Sequence, residues 1–285
     1  MNLYLDSKDL INILQNGIPS LSSELNEILR KGGHSLTLSF YSVMEISAPL
    51  TSAFSNASVT TLLNQLERMP LTYIRSDIEA LELNEALDAY RGHREYKGID
   101  AFANRFDQIV DLHAQPATGI FMNYSLAETV WDLKCHDSLR GLESYANRMR
   151  QIIAADRSMP KTPAAKAHFK KVIENKLRLH NLSWVGVDLS GFAQWIYASP
   201  ARCPAIRIGY EVWRKIVKNR TDSLEDSDME DYQHLTNLPY VDAMTLDRRM
   251  FSYVSQALSS ANIVYKDRIF RSAQEVLTKL NGFHA

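Results

Sequence analysis

Three apolar runs of strand length govern what this chain can fold into: NLYL at 2–5, SLTLSF at 35–40 and YVDAMTL at 240–246. Each leads into a segment of helical spacing, and each has an acid close behind it: Asp6, Glu45 and Asp247. A strand that feeds a helix returns to its sheet by a crossover, so successive strands run parallel and their carboxyl ends point to one edge. The three acids are therefore expected to share that edge.

The intervening segments fit this pattern. DSKDLINILQNG has Leu10, Ile11 and Leu14 at helical spacing and a stop at Gly17, and LSSELNEILRKGG ends on a double glycine. YSVMEISAPL is expected to begin a helix with Glu45 near its start, VTTLLNQLERM at 59–69 is helical, and LTYI at 71–74 is a third strand. From Ser76 the pattern changes: residues 77–113 and 118–157 keep helical periodicity, PAAKAHFKKVIENKLRLH and GYEVWRKIVKN continue it, and WVGVDL lies between as a short strand. Alternation returns with the acidic TDSLEDSDMEDYQH and a helix over 229–238. YVDAMTL, the helix RRMFSYVSQALS, the strand NIVYKD and the helix SAQEVLTKL follow. The expected fold is α/β: residues 1–75 and 205–285 form a core around a mainly parallel sheet, and 76–204 form an α-helical insertion.

Bulk properties remove several function classes. The 285 residues, 45% of them apolar, can bury a substantial core. A formal net charge of -1 argues against a protein that coats duplex nucleic acid by bulk attraction, so any such contact is local. Cys135 and Cys203 are far apart and have no partner at zinc spacing, which fits a reducing cytoplasm. The start MNLYLDSKDL lacks a signal-peptide pattern, and no run reaches the ~18 apolar residues of a membrane span. A mature, soluble chain without a membrane partner is expected.

Ligands of open α/β sheets bind outside the carboxyl ends of the strands. Asp6, Glu45 and Asp247 belong there, and Asp231 joins them if its helix starts beside that edge; Asp228, three residues earlier on the same face, ranks second. Asp242 is excluded, because five extended residues at ~3.3 Å each put it roughly 16 Å from Asp247. It is expected to cap or pair at the opposite edge. Two carboxylates ~4 Å apart repel by ~4 kcal/mol at an effective dielectric of about 20, so a converging set needs protons or a cation. Oxygen donors without His or Cys select Mg2+ or Mn2+ over zinc. Such an ion orients a water and stabilises the leaving oxygen in attack on a phosphodiester.

LYLD at 3–6, LSFYSVMEI at 38–46, the D-x-x-D of Asp228 and Asp231, and MTLDRRM at 244–250 together resemble the four acidic signatures of PIN-domain nucleases. The resemblance spans about 1–75 and 205–285; residues 76–204 carry none of it. It implies a three-layer α/β/α sandwich and a Mg2+- or Mn2+-dependent endoribonuclease cutting single-stranded RNA, with DNA left open. Asp6, Glu45, Asp231 and Asp247 match the catalytic, metal-binding acids, with Asp228 in reserve, and Thr245 matches the hydroxyl residue before the last acid. It also suggests a bacterial toxin or antiphage-defence effector, with an inhibitor or activator protein and a homo-oligomer as further partners. The departures are a short spacing from Asp231 to Asp247, LTNLPY where the family has a small-residue helix, and a chain longer than many members.

Plainer readings stand beside these. Asp6 and Asp247 are also suited to capping the helices after their strands, and TDSLEDSDMED suits a solvated loop. Arg248 and Arg249, with Lys266, Arg268 and Arg271 taken to follow the last strand, either hold substrate phosphates at the acid edge or pair with nearby acids. Lys166 and Lys170 share a helical face and form a phosphate strip or a solvated surface. His234, three residues after Asp231, either faces the site or is satisfied within its helix. Haloacid-dehalogenase chemistry needs a second acid where Lys8 stands, and no glycine-rich turn supports a dinucleotide enzyme. The alternative function is a catalytically inactive PIN-like scaffold that binds RNA or a protein partner.

Overall fold

The structure, a computed structural model, describes residues 1–15, 19–48, 57–110, 124–135, 143–158, 165–223 and 225–282. In chain order, β1 (Asn2–Tyr4) leads to α1 (Ser7–Gln15) and α2 (Pro19–Lys31), and β2 (Ser35–Leu38) to α3 (Phe40–Ile46) and α4 (Ala57–Glu67). β3 (Leu71–Ile74) leads to α5 (Ile78–Arg91), and β4 (Phe102–Ala103) to α6 (Asp107–Val110), α7 (Leu126–Cys135) and α8 (Glu143–Ser158). Next come α9 (Ala165–Leu179), α10 (Leu189–Tyr197), α11 (Pro204–Lys218) and α12 (Asp226–His234), which continues as a 3-10 turn at Leu235–Tyr240. β5 (Ala243–Thr245), α13 (Arg248–Ala261), a 3-10 turn at Val264–Arg268, β6 (Ile269–Phe270) and α14 (Ala273–Gly282) close the chain.

The strands form one sheet in the order β4-β3-β2-β1-β5-β6, parallel except where β4 meets β3. The chain winds outward from β1 through β2 to β3, then returns to the other side of β1 at β5. That reversal opens a crevice at the carboxyl ends of β1 and β5, the usual ligand position in such sheets.

Strand side chains alternate between two cores. Leu3 and Leu5 pack into one with Leu10, Leu29, Leu62 and Leu277, while Tyr4 points into the other with Ile208, Val212, Val254 and Leu258. Ala243 and Met244 divide in the same way. A strand covered by helices on both faces needs apolar residues at every position, which is why these runs are continuously apolar. A third core joins α5, α9, α10 and α11 through Leu83, Phe169, Ile173, Phe192 and Ile206. α11 therefore lies between two cores, with Ile206 and Tyr210 in one and Ile208 and Val212 in the other.

Several expectations need correction. The stretch over 77–113 is not continuous helix: α5 ends at Arg91, and Phe102 and Ala103 pair antiparallel with Ile74 and Tyr73. WVGVDL is not a strand, because it turns at Val185–Gly186 and Asp188 caps α10 by accepting from Ser190 and Gly191 N–H. NIVYKD is also not a strand; residues 264–268 form a 3-10 turn and the strand follows at Ile269–Phe270. The helix expected over 229–238 begins at Asp226 and tightens to 3-10 geometry from Leu235, with Pro239 inside that turn. Gly17 and residues 111–113 and 118–123 lie outside the described residues. Among the described residues, no helix is long and apolar enough to cross a membrane.

Candidate metal centre

Asp6 lies two residues past β1 and Asp247 two residues past β5, so the adjacent parallel strands deliver both to the switch-point edge. Thr245 ties the two strand ends together: its Oγ1 accepts the Asp6 backbone N–H at 2.6 Å, and its side chain is buried at 2% exposure. The hydroxyl thus supports Asp6 rather than meeting solvent. The capping alternative holds for both acids as well, since Asp6 accepts from Lys8 N–H at 2.7 Å and Asp247 from Met250 N–H at 2.5 Å. One oxygen of each caps a helix, and the Asp247 charge still acts on Asp6 across the edge.

Glu45 arrives differently from expectation. A capping box between Ser39 and Ser42 starts α3 at Phe40, so Glu45 lies in its last turn rather than at its start. The helix turns it back toward β1, where Ser7 Oγ donates to Oε2 at 2.5 Å and His234 Nε2 meets Oε1 at 2.8 Å. His234 Nδ1 bonds the Tyr4 hydroxyl, which also contacts Ser39 Oγ at 2.8 Å. The result is a hydrogen-bonded chain from Ser7 through Glu45, His234 and Tyr4 to Ser39. Burial pushes the Glu45 carboxyl up, but the His234 hydrogen bond and charge and the Ser7 hydroxyl outweigh it, leaving it below its ordinary value. Burial alone would lower His234; the Glu45 hydrogen bond and charge, with Asp231 and Asp6, hold it above its ordinary value.

Asp231 lies one helical turn before His234 on α12. Burial first, then the charges of Asp247, Asp6 and Glu45, push its carboxyl up to about 8, against the pull of His234. Asp6 is raised by burial and by Glu45 and Asp247, partly offset by the Lys8 N–H and His234. Asp228 is engaged elsewhere: only 3% exposed, it accepts from Arg249 Nη1 at 2.5 Å and from Glu225 N–H at 2.7 Å. Of the two acids of the D-x-x-D motif, Asp231 is the one that feels the cluster.

The basic residues divide similarly. Arg249 pairs with Asp228 and, at 3.6 Å, with Glu225, so it neutralises nearby acids. Lys266 and Arg268 precede β6 instead of following it, which places them at the edge opposite the acids; Arg268 there donates to the Pro239 and Val241 carbonyls at 3.2 and 3.1 Å. Arg248 and Arg271 remain at the acid edge, both exposed. Asp242 sits at the opposite edge as expected and accepts the Asn2 N–H at 2.7 Å. On α9, Lys176 is held by Glu79 at 2.5 and 2.6 Å and Lys170 is exposed.

Tyr4, Ser7 and Asp9 were not singled out from the sequence. Asp9, one turn after Asp6, is raised by burial, while the Thr245 hydroxyl bonds it and Asp6 repels it. The available signal for Asp9 was its i,i+3 spacing from Asp6.

The donors suit a hard divalent cation in kind: they are carboxylates, and among the described residues no hydrogen-bond donor reaches Asp231, the most destabilised of them. As the side chains stand, no group of three or more His, Cys, Asp or Glu among the described residues closes on one metal position. Compared with protein-family models, curated proteins and solved structures, the chain has no significant match.

Proposed function

We propose that the chain hydrolyses phosphate esters with the help of a divalent cation, Mg2+ or Mn2+, bound at the switch-point edge. More specifically, we read it as an endoribonuclease that cuts single-stranded RNA, in keeping with the resemblance of its four acidic segments to PIN-domain nucleases. The observation that carries this is Asp231, a carboxyl crowded by Asp6, Asp247 and Glu45 and pushed up to about 8 with no donor among the described residues to compensate it. Perturbation of this kind marks functional sites, because a purely structural acid would be paired or replaced.

Asp6, Asp231 and Asp247 would hold the ion, with Glu45 beside them. A bound divalent cation supplies a water of lowered pKa and neutralises charge on the phosphoryl oxygens. The remaining groups set the stage for it. Ser7 and His234 fix both oxygens of Glu45 and keep it ionised. Thr245 fixes the backbone at Asp6, and the exposed Arg248 and Arg271 offer cations for the flanking phosphates. A toxin or antiphage-defence role under an inhibitor or activator protein is the proposed setting.

The test is incubation of purified protein with labelled single-stranded RNA and DNA in Mn2+, Mg2+ or EDTA, beside Asp6→Asn and Asp231→Asn. Metal-dependent cleavage of RNA that both variants lose is the expected result. Absence of cleavage in every metal, with RNA binding intact, would overturn the proposal in favour of a catalytically inactive scaffold.

A further inference from the structure

Acidic residues are absent from two stretches that the fold brings together. Between Glu211 and Asp222, and again between Asp247 and Asp267, the chain contains Lys and Arg but neither Asp nor Glu. These stretches supply the C-terminal half of α11 and all of α13, and the two helices pack side by side. Their outward faces carry three hollows that adjoin at Lys215, the residue they share, and are lined further by Lys218, Ser252, Gln256 and Ser260; together they form a groove. One end reaches Arg249, two residues from Asp247; the other reaches Lys266 at the opposite edge of the sheet. The α13 side of the groove runs from Arg249 to Ala261, so the groove is about 18 Å long at ~1.5 Å of rise per residue.

The groove's charge is available for a ligand. Among the described residues, Lys215, Lys218 and Lys266 make no ion pair, and Lys218 and Lys266 are exposed. Of its two acids, Glu211 is neutralised by Arg207 at 3.1 Å and Arg214 at 3.0 Å, and Asp222, which accepts the Tyr253 hydroxyl, is the one carboxylate among the described lining residues left without an ion pair. Serines and a glutamine between unpaired lysines can donate hydrogen bonds to an anionic chain without selecting its sequence. In a chain with a formal net charge of -1, a track of this kind supplies the local attraction that bulk charge does not.

We propose that the groove between α11 and α13 is the track for the phosphate backbone of a single-stranded nucleic acid leading to the acid edge. The choice of a single strand rests on the nuclease reading of that edge; the charge complementarity of the groove does not. Lys266, misplaced for a role at the acids, is then well placed at the far end of the track.

The experiment measures binding of a fluorescent single-stranded RNA in EDTA, where metal-dependent cleavage cannot occur, across a range of salt. It compares the wild-type chain with Lys215→Gln/Lys218→Gln/Lys266→Gln, the same triple change to Arg, and Lys170→Gln/Lys171→Gln on α9. At about 0.7 of slope per neutralised phosphate of a single strand, the Gln triple should flatten the log–log salt dependence by about 2 and weaken binding at least ~10-fold. The Arg triple should retain binding, and the α9 variant should match wild type. Unchanged binding by the Gln triple, a loss confined to the α9 variant, or no salt-dependent binding by wild type would each overturn the track. Loss of binding in the Gln triple from a protein that cuts nothing in Mn2+ would uphold the track while removing the nuclease.

Discussion

Replacing Asp231 with Asn should make this protein more stable at alkaline pH, and the effect can be sized. The carboxyl is displaced from an ordinary 3.8 to about 8, with burial the largest cause and Asp247, Asp6 and Glu45 next. At about 1.4 kcal/mol per pH unit, that displacement corresponds to roughly 5–6 kcal/mol. Asp231 is only partly buried at an edge that water reaches, and solvent screening reduces the figure to about 2–3 kcal/mol. The sign follows from proton uptake: between pH 4 and 8 the folded chain holds a proton that the unfolded chain has released, so stability falls as pH rises through this window. Asn carries no charge and escapes the loss. In EDTA, Asp231→Asn should melt roughly 3–5 °C above wild type at pH 8.5, with the difference vanishing near pH 4. Adding Mn2+ to about 100 times its dissociation constant should restore about 2.7 kcal/mol to wild type, but much less to the variant. Equal melting at pH 8.5 in EDTA, or a variant that melts lower, would refute the reasoning.

His234→Ala removes the main partner of Glu45, and we expect the Mn2+ concentration for half-maximal cleavage to rise at least ~10-fold, as when a group that orients a metal ligand is lost; an unchanged metal response would make His234 purely structural. The Glu45–His234 pair should also stabilise the fold most at intermediate pH. Glu45 loses its contribution as pH falls through its lowered pKa, and His234 loses its own as pH rises through its raised one, which urea titrations from acid to alkaline pH would detect. Glu82 is fully buried in α5 and accepts the Ala205 and Ile206 N–H groups at the start of α11 and the Tyr240 hydroxyl, at 2.8, 3.2 and 2.6 Å. Glu82→Ala should cost about 2–4 kcal/mol in urea unfolding by leaving these donors unpaired. Burial raises Glu82 to about 8, so wild type should lose stability as pH rises from about 4.5 to about 8, whereas the variant should not.

The alternation of apolar runs and helical segments was enough to place β1, β2, β3 and β5 and to give a mainly parallel sheet, because period and apolarity are local properties of the chain. The same pattern put Asp6 and Asp247 on one edge and Asp242 on the other, since a strand's direction fixes which end its neighbours occupy. Elements with little local signal were beyond it: β4 and β6 have two residues each and exist through pairing with β3 and β5. The late start of β6 alone moved Lys266 and Arg268 across the sheet. Tertiary structure also separated Asp228 from Asp231, which the D-x-x-D spacing cannot do, by pairing the first with Arg249 and leaving the second partly buried in the field of Asp247, Asp6 and Glu45. It joined Tyr4, Glu45 and His234, which are distant in sequence, into one hydrogen-bonded chain. Sequence determines what each segment prefers by itself; which charges meet depends on how helices and strands pack, and packing is settled by the whole core at once.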